Sequence, residues 1–137
     1  MEVSVFFKNI ETLTLKRDTI LRKFRKQLRD YGKGKIDVEG VRETLKTLRK
    51  HRRALTRLLR EFKGRSIDKP YNDHIKTLLE FTLLIAISEE TELLSKLSIM
   101  LRKKGVNDRE LIDEVNSDLE EVKELGRLTA EFLNGLK

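Results

Sequence analysis

The residue types that could carry out chemistry are few in this chain, and none stands in a catalytic or metal-binding spacing. The segment GKGK at 32–35 contains two Gly-Lys steps but lacks the longer spacing to Gly-Lys-Ser/Thr that a phosphate-binding loop needs. His51 and His74 fall in different predicted helices and outside Glu-x-x-His spacing, so neither predicts a metal ligand. The chain also has no cysteine nucleophile. We therefore expect no catalytic residues, no metal, no cofactor and no enzymatic activity.

Basic residues are concentrated in the first half of the chain. Residues 1–69 contain 21 Lys and Arg against 9 Asp and Glu, a net charge of +12, whereas residues 70–137 contain 9 against 14, a net charge of −5. The basic residues that recur every three or four positions of one predicted helix would form a single ridge: Lys46, Arg49, Arg53, Arg57 and Arg60. Such a ridge could contact phosphates, which makes nucleic acid an alternative partner. The same charges also suit a solvated surface that pairs with the acidic half, and no aromatic residues interleave with them to stack on bases.

These residues must be positioned by helices, because the apolar residues recur in alternating steps of three and four. Glycines mark the predicted helix ends, since glycine adopts the left-handed conformation that terminates a helix: Gly32, Gly64, Gly105 and Gly135. The predicted helices span residues 2–31, 37–63, 69–104 and 107–134. Ser88 could begin a separate helix, but one continuous third helix is the preferred interpretation. Because short connections join antiparallel neighbours, we predict an all-α fold, an antiparallel up-down-up-down four-helix bundle forming a single domain over 1–137.

The apolar stripes of the first two helices are each interrupted once, at Arg17 and Arg52. Folding the chain at its turns places these arginines opposite each other, with Thr82 and Thr129 near the same level. We predict that the four residues form a polar core layer that fixes the register of the bundle. Threonine hydroxyls, carbonyl groups or a carboxylate would accept hydrogen bonds from the arginines, and the candidate carboxylates are Glu89, Glu90 and Glu131.

The sequence leaves open whether the two arginines are buried, and the layer has one testable consequence. The alternative arrangement is that both arginines reach solvent at the edge of the stripe, with only their stems packed. If the layer serves only to specify register, replacing Arg17 and Arg52 together by leucine should raise thermal stability.

The segment LLEFTLLIAI at 78–87 is apolar at eight of its ten positions, in a chain of which 39% is charged. One stripe of the third helix accounts for part of the segment and leaves five apolar residues over: Leu78, Phe81, Leu84, Ile85 and Ile87. The run is far shorter than the roughly 20 residues that cross a bilayer, so we expect no membrane insertion. We predict that the five residues form a homodimer interface or contact another protein partner. A wide monomeric core, or a bundle of more than four helices, is the alternative.

The overall composition bears on stability and location. The chain has no cysteine, a single proline and a single glutamine, whereas Lys, Arg and Glu are abundant. This composition is typical of proteins from hot environments. The N-terminus carries Glu2 and only a short apolar run, which fits neither a signal peptide nor a membrane anchor. We therefore expect a thermostable protein located inside the cell.

Over its whole length, including MEVSVFFKNIETLTLKRDTI and LLEFTLLIAISEE, the chain resembles the small, cysteine-free helical proteins of spindle-shaped viruses that infect hyperthermophilic archaea such as Pyrococcus abyssi. No single motif carries this resemblance, and it supplies no catalytic residues. It implies a dimeric four-helix bundle with an interaction role, comparable with the helical bundles of focal-adhesion-targeting domains. A role in the host cytoplasm and a role in the virus particle are both compatible with it.

Overall fold

The computed structural model describes residues 1–136 and is all-helical, with 85% helix and no strand in that part of the chain. Its four helices are α1 (Val3–Gly32), α2 (Val38–Phe62), α3 (71–103) and α4 (Arg109–Gly135). Helix α3 is continuous and consists of Tyr71–Phe81, a π turn at Thr82–Ala86, and Ile87–Lys103. The predicted all-α class is therefore confirmed. Each predicted helix end lies within two residues of the observed one, and no break occurs at Ser88.

The helix ends follow from local backbone preferences. Gly64 and Gly105 have φ values of 79° and 66°, a left-handed conformation that would strain a residue with a side chain. In the first connection this conformation is taken by Gly34, with a φ of 74°, and the predicted terminator Gly32 still belongs to α1. Helix α4 begins with a side-chain cap, because Asp108 accepts a hydrogen bond from the backbone N–H of Leu111 at 3.0 Å.

The four helices form two hairpins that lie side by side. The first hairpin consists of α1 and α2, and the second consists of α3 and α4; between hairpins, α1 contacts α3 and α2 contacts α4. Ion pairs between α2 and α4 advance along both helices together, and they include Arg42–Glu114, Arg53–Glu121 and Lys63–Glu131. These pairs join α2 to α4 along much of their length. This arrangement places the basic hairpin directly against the acidic one.

The apolar core runs along the bundle axis and is closed at one end by aromatic rings. Phe6 of α1 stacks on Phe62 of α2 with ring centroids 4.0 Å apart, and it lies 5.7 Å from the ring of Phe132 on α4. All three side chains are buried. The start of α1 therefore lies beside the ends of α2 and α4, which sets the height at which polar residues further along the helices meet.

Candidate functional site

Four charged side chains meet in the middle of the core, one from each helix. Arg17 and Arg52 are 1% and 0% exposed, and Glu90 and Asp118 are both 0% exposed. Glu90 lies between the arginines: its Oε1 accepts from Nη2 of Arg17, and its Oε2 accepts from Nη1 of Arg52 at 2.6 Å. Nη2 of Arg52 also donates to Oδ1 of Asp118. We call these four residues the buried ionic cluster; neither of its arginines reaches solvent at the edge of the apolar stripe.

The cluster continues toward the surface on the side where α2 and α4 meet. Arg49 donates to both carboxylate oxygens of Asp118, from Nε at 2.7 Å and from Nη2 at 2.8 Å. This hydrogen bonding raises the pKa of Arg49, and the fork of two parallel bonds fixes both groups. Glu121 accepts from Nη2 of Arg52 at 3.3 Å. Asp118 therefore pairs with two arginines, Arg49 and Arg52. Arg17, in contrast, pairs with a single carboxylate among the described residues, that of Glu90.

Thr82 and Thr129 are buried, as the predicted polar layer requires, but they do not contact the arginines. Their hydroxyls donate within their own helices, to the carbonyl oxygens of Leu78 at 3.0 Å and Leu125 at 2.7 Å. The threonines therefore do not serve as acceptors for Arg17 and Arg52; that the four residues lie in one layer stays a prediction. A long arginine side chain reaches along the helix axis, so its charged end pairs with residues well away from the level of its backbone.

The carboxylates that do pair with the arginines were partly identified from the sequence. Glu90 was one of three candidates, whereas Glu89 pairs with Arg25 at the surface and Glu131 pairs with Lys63 and Arg127. Asp118 was missed. It interrupts the buried stripe of α4, whose other members are apolar except for Thr129: Leu111, Val115, Val122, Leu125, Leu128 and Phe132. The same search for interruptions that found both arginines would have found Asp118 if it had been applied to the second hairpin.

Four of the five residues in the predicted basic ridge of α2 form ion pairs within the protein. Arg49 pairs with Asp118 and Glu114, Arg53 pairs with Glu121 at 2.8 Å, and Arg60 pairs with Glu124 at 3.7 Å. Lys46 pairs with Glu43 of its own helix at 3.4 Å. Only Arg57 of the ridge has no carboxylate within 4.0 Å in the described part of the chain. Arg49, Arg53 and Arg60 face the acidic helix α4, so these three residues do not present a free phosphate-binding surface.

The five apolar residues predicted as an interface separate into two groups. Phe81, Leu84 and Ile85 are 38%, 68% and 52% exposed, and we call these three residues the α3 patch. Leu78 is half-buried and packs against the core. Ile87 is 8% exposed and lies over α4, where a Cβ added at Gly126 would be 3.7 Å from its Cγ2. The assignment of Ile87 to the interface is therefore wrong, because it already has a partner within the monomer.

The π turn explains why apolar residues of α3 are left on the surface. The N–H of Ile87 donates to the carbonyl oxygen of Thr82, five residues earlier, instead of four as in an α-helix. The wider turn accommodates one extra residue, so Thr82, Ala86 and Glu90 all remain buried. Leu84 lies inside the turn and points away from the core. Single π turns of this kind are frequent at functional sites, and the α3 patch is built on this one.

His51 lies on α2 beside the cluster, half-buried, and its Nδ1 has no hydrogen-bond partner. Burial of the ring lowers its pKa below the ordinary value of 6.5, and the charges of Lys16, Lys50 and Arg17 lower it further. The folded protein therefore binds a proton at this ring less readily than the unfolded chain. The stability that neutral His51 provides is present above pH 6.5 and is lost as the pH falls from 6.5 through the folded-state pKa.

We expect wild-type protein to lose more stability than the His51→Gln variant when the pH falls below 6.5. Urea unfolding at a series of pH values measures the difference. His74→Gln, which changes the other histidine, is the matched control and should follow the wild-type profile. Identical profiles for wild type and His51→Gln would contradict the assignment.

Residues 1–136 contain no group of three or more potential side-chain ligands arranged to hold a metal ion. In the same part of the chain, no helix is both long enough and apolar enough to cross a bilayer. Comparisons with protein-family models, with curated proteins and with solved structures gave no match. Any functional proposal must therefore come from the contacts and charges of this chain.

Proposed function

We propose that the chain is a non-enzymatic protein-interaction module that forms a homodimer through α3. The observation that carries this proposal is the α3 patch, in which three large apolar side chains stay exposed on adjacent turns of one helix: Phe81, Leu84 and Ile85. Clustered exposed apolar side chains are typical of interaction sites. A two-fold symmetric dimer is the commonest way to cover such a patch, because each copy then supplies the other's missing contacts.

The proposal includes an antiparallel up-down-up-down order of helices within each copy. Short connections between the helices support this order, since each brings one helix end close to the start of the next. The stacking of Phe6 on Phe62 also supports it, because the start of α1 then lies beside the end of α2. In this arrangement α3 lies at the outside of the bundle and can contact a second copy along its length.

The three patch residues form the centre of the proposed interface and cannot be the whole of it. A stable interface buries about 800 Å² on each partner, more than three partly exposed side chains provide. The half-buried side chains of Leu78 and Leu83 on the same helix would enlarge it. Fully burying an apolar side chain contributes roughly 1.5–3 kcal/mol, so a charge at the centre of the patch should have a large effect.

Light scattering should give wild-type protein about twice the chain mass of 16.1 kDa. The double variant Phe81→Glu, Leu84→Glu should give the mass of a single chain, because dimerisation would bury two carboxylates from each copy without partners. Val5→Glu is the control: Val5 is 47% exposed on α1, outside the α3 patch, and this variant should remain dimeric.

Circular dichroism must show that every variant remains helical, so that a lower mass reports dissociation and not unfolding. A wild-type protein that stays monomeric at all accessible concentrations would contradict the proposal, and so would a double variant that stays dimeric.

A further inference from the structure

Several cations of the first hairpin have no carboxylate partner. After the ion pairs with α4 are formed, four basic residues on the outer face of α1 and α2 have no carboxylate within 4.0 Å in the described part of the chain: Lys16, Lys23, Lys50 and Arg57. Three of them lie outside the predicted ridge. Arg57 also lines a cleft beside Glu121 and Glu124 of α4, so it marks the edge of this face nearest the acidic hairpin.

A groove between α1 and α2 brings two of these cations together. It has a volume of about 390 Å³, with Lys16 on its α1 wall and Arg57 on its α2 wall. Asn9 and Thr12 add neutral hydrogen-bond donors, and Glu61 is the one carboxylate along it. None of the large apolar side chains that line the groove is exposed. The groove therefore offers charges and polar groups but no apolar anchor of the kind that protein partners usually require.

The electrostatics of His51 show that the positive charges act on the same region. Lys16 on α1 and Lys50 on α2 both lower the pKa of this ring, and no carboxylate offsets their effect. Lys23 follows Lys16 by two helical turns, on the same face of α1 and about 10 Å further along it. Positive charge thus continues beyond the groove along the same face of α1 and α2.

We propose that this outer face of α1 and α2, which carries Lys16, Lys23, Lys50 and Arg57, binds the phosphate backbone of duplex nucleic acid without reading its sequence. Duplex DNA presents one negative charge per about 1.7 Å of its axis, so several phosphates fall within reach of a face of this length. Lysine is suited to such contacts because it acts as a mobile point charge. The side chains that line the groove include no aromatic ring, and stacking on single-stranded bases would need one.

This binding surface is separate from the proposed dimer interface. The α3 patch belongs to the second hairpin, whereas the basic face belongs to the first, so occupation of one does not require the other. A homodimer formed through α3 would carry two such faces. Failure of dimerisation would leave the basic face in place, and failure of phosphate binding would leave the dimer in place.

Fluorescence anisotropy with a short labelled DNA duplex tests the proposal. Four phosphate contacts predict a slope of about −3.6 for the logarithm of the association constant against the logarithm of salt concentration. Affinity should therefore fall roughly 150-fold between about 50 and 200 mM salt. Replacing all four residues by glutamine (Lys16→Gln, Lys23→Gln, Lys50→Gln, Arg57→Gln) should abolish binding. Glutamine is chosen because its helix propensity is close to that of lysine and arginine.

The matched control removes four cations from the second hairpin instead: Lys76→Gln, Lys96→Gln, Arg102→Gln and Lys103→Gln. Both variants lower the net charge of the chain from +7 to +3. Retained binding in the control supports the assigned face, whereas equal losses in both variants would show that only net charge matters and would overturn it. The absence of wild-type binding at low salt would also overturn it. Equally tight binding of polyglutamate would assign the face to acidic proteins instead.

The pKa of His51 gives a second readout, taken on protein that circular dichroism shows to remain folded, since unfolding would also raise this pKa. Bound phosphates would offset the charges of Lys16 and Lys50, so the pKa of His51 should rise when duplex is added. The ring signals in NMR spectra measure this change, with the signals of His74 as the internal reference. Duplex binding that leaves the His51 titration unchanged would place the nucleic acid elsewhere on the protein.

Discussion

Replacing Arg17 and Arg52 together by leucine should destabilise the protein by at least about 3 kcal/mol, because removing one side of a buried ion pair leaves the other charge unpaired in the core. Both arginines are almost fully buried, and Glu90 would lose its two partners at once. The structure thus reverses the sequence-based expectation that this substitution raises thermal stability. Guanidinium unfolding at one fixed protein concentration measures the loss of free energy.

The quadruple variant with leucine at all four cluster positions is the decisive comparison. It removes both signs of charge, and apolar replacement of a complete buried ion-pair network is often neutral or stabilising by about 1–4 kcal/mol. We expect it to recover most of the stability that the double variant loses. A double variant more stable than wild type would show that Glu90 and Asp118 find solvent when the arginines are removed, and that the cluster contributes nothing to stability.

Glu90→Gln should cost about 3–5 kcal/mol, the usual loss when a buried pair is broken, whereas Asp118→Asn should cost only about 1–3 kcal/mol. The difference arises from the partners that remain. Without Glu90, Arg17 has no carboxylate within reach, and its Nε already lacks a hydrogen-bond partner. Without Asp118, Arg52 keeps Glu90 and Glu121, and Arg49 keeps Glu114.

Urea unfolding of the two single variants measures this difference, and Glu89→Gln provides the control. Glu89 neighbours Glu90 in the chain but pairs with the half-exposed Arg25, so its loss should cost less than about 1 kcal/mol. Equal losses for Glu90→Gln and Asp118→Asn would mean that the cluster responds as one unit to the removal of either charge.

The sequence predicts the helices well because helix formation depends on local patterns. Apolar periodicity and the glycines Gly64 and Gly105 define the helix ends to within two residues. Interrupted stripes also single out Arg17 and Arg52, although they leave open whether these side chains are buried or reach solvent. Their partners are harder to predict. The sequence gives the height of each backbone position along the bundle axis, but a long side chain can place its charged end at a different height. The choice of neighbouring helices is likewise a tertiary property. Because α2 packs beside α4, Arg49 and Arg53 face the carboxylates of α4.

The interface residues illustrate a second limit. From the 3.6-residue period alone, Ile87 belongs with Leu84 and Ile85 among the residues left outside the stripe. The π turn adds one residue to the helix at this point, which brings Ile87 onto the core beside Gly126 and leaves Leu84 and Ile85 outside. No local sequence signal specifies such a turn here. The turn lies where Ala86 and Glu90 are both buried.

Opposite charge on the two hairpins also bears on the path by which the chain folds. Each hairpin is closed by a short connection, whereas Arg53 and Glu121 are 68 residues apart and Arg17 and Glu90 are 73 apart. Contacts close in sequence form sooner, so the hairpins meet as units already attracted by their charges. Surface pairs along α2 and α4 can form in more than one alignment, but the four buried charges can meet in only one. Long-range attraction therefore speeds the encounter of the two hairpins. The buried ionic cluster then selects the final alignment of the two hairpins.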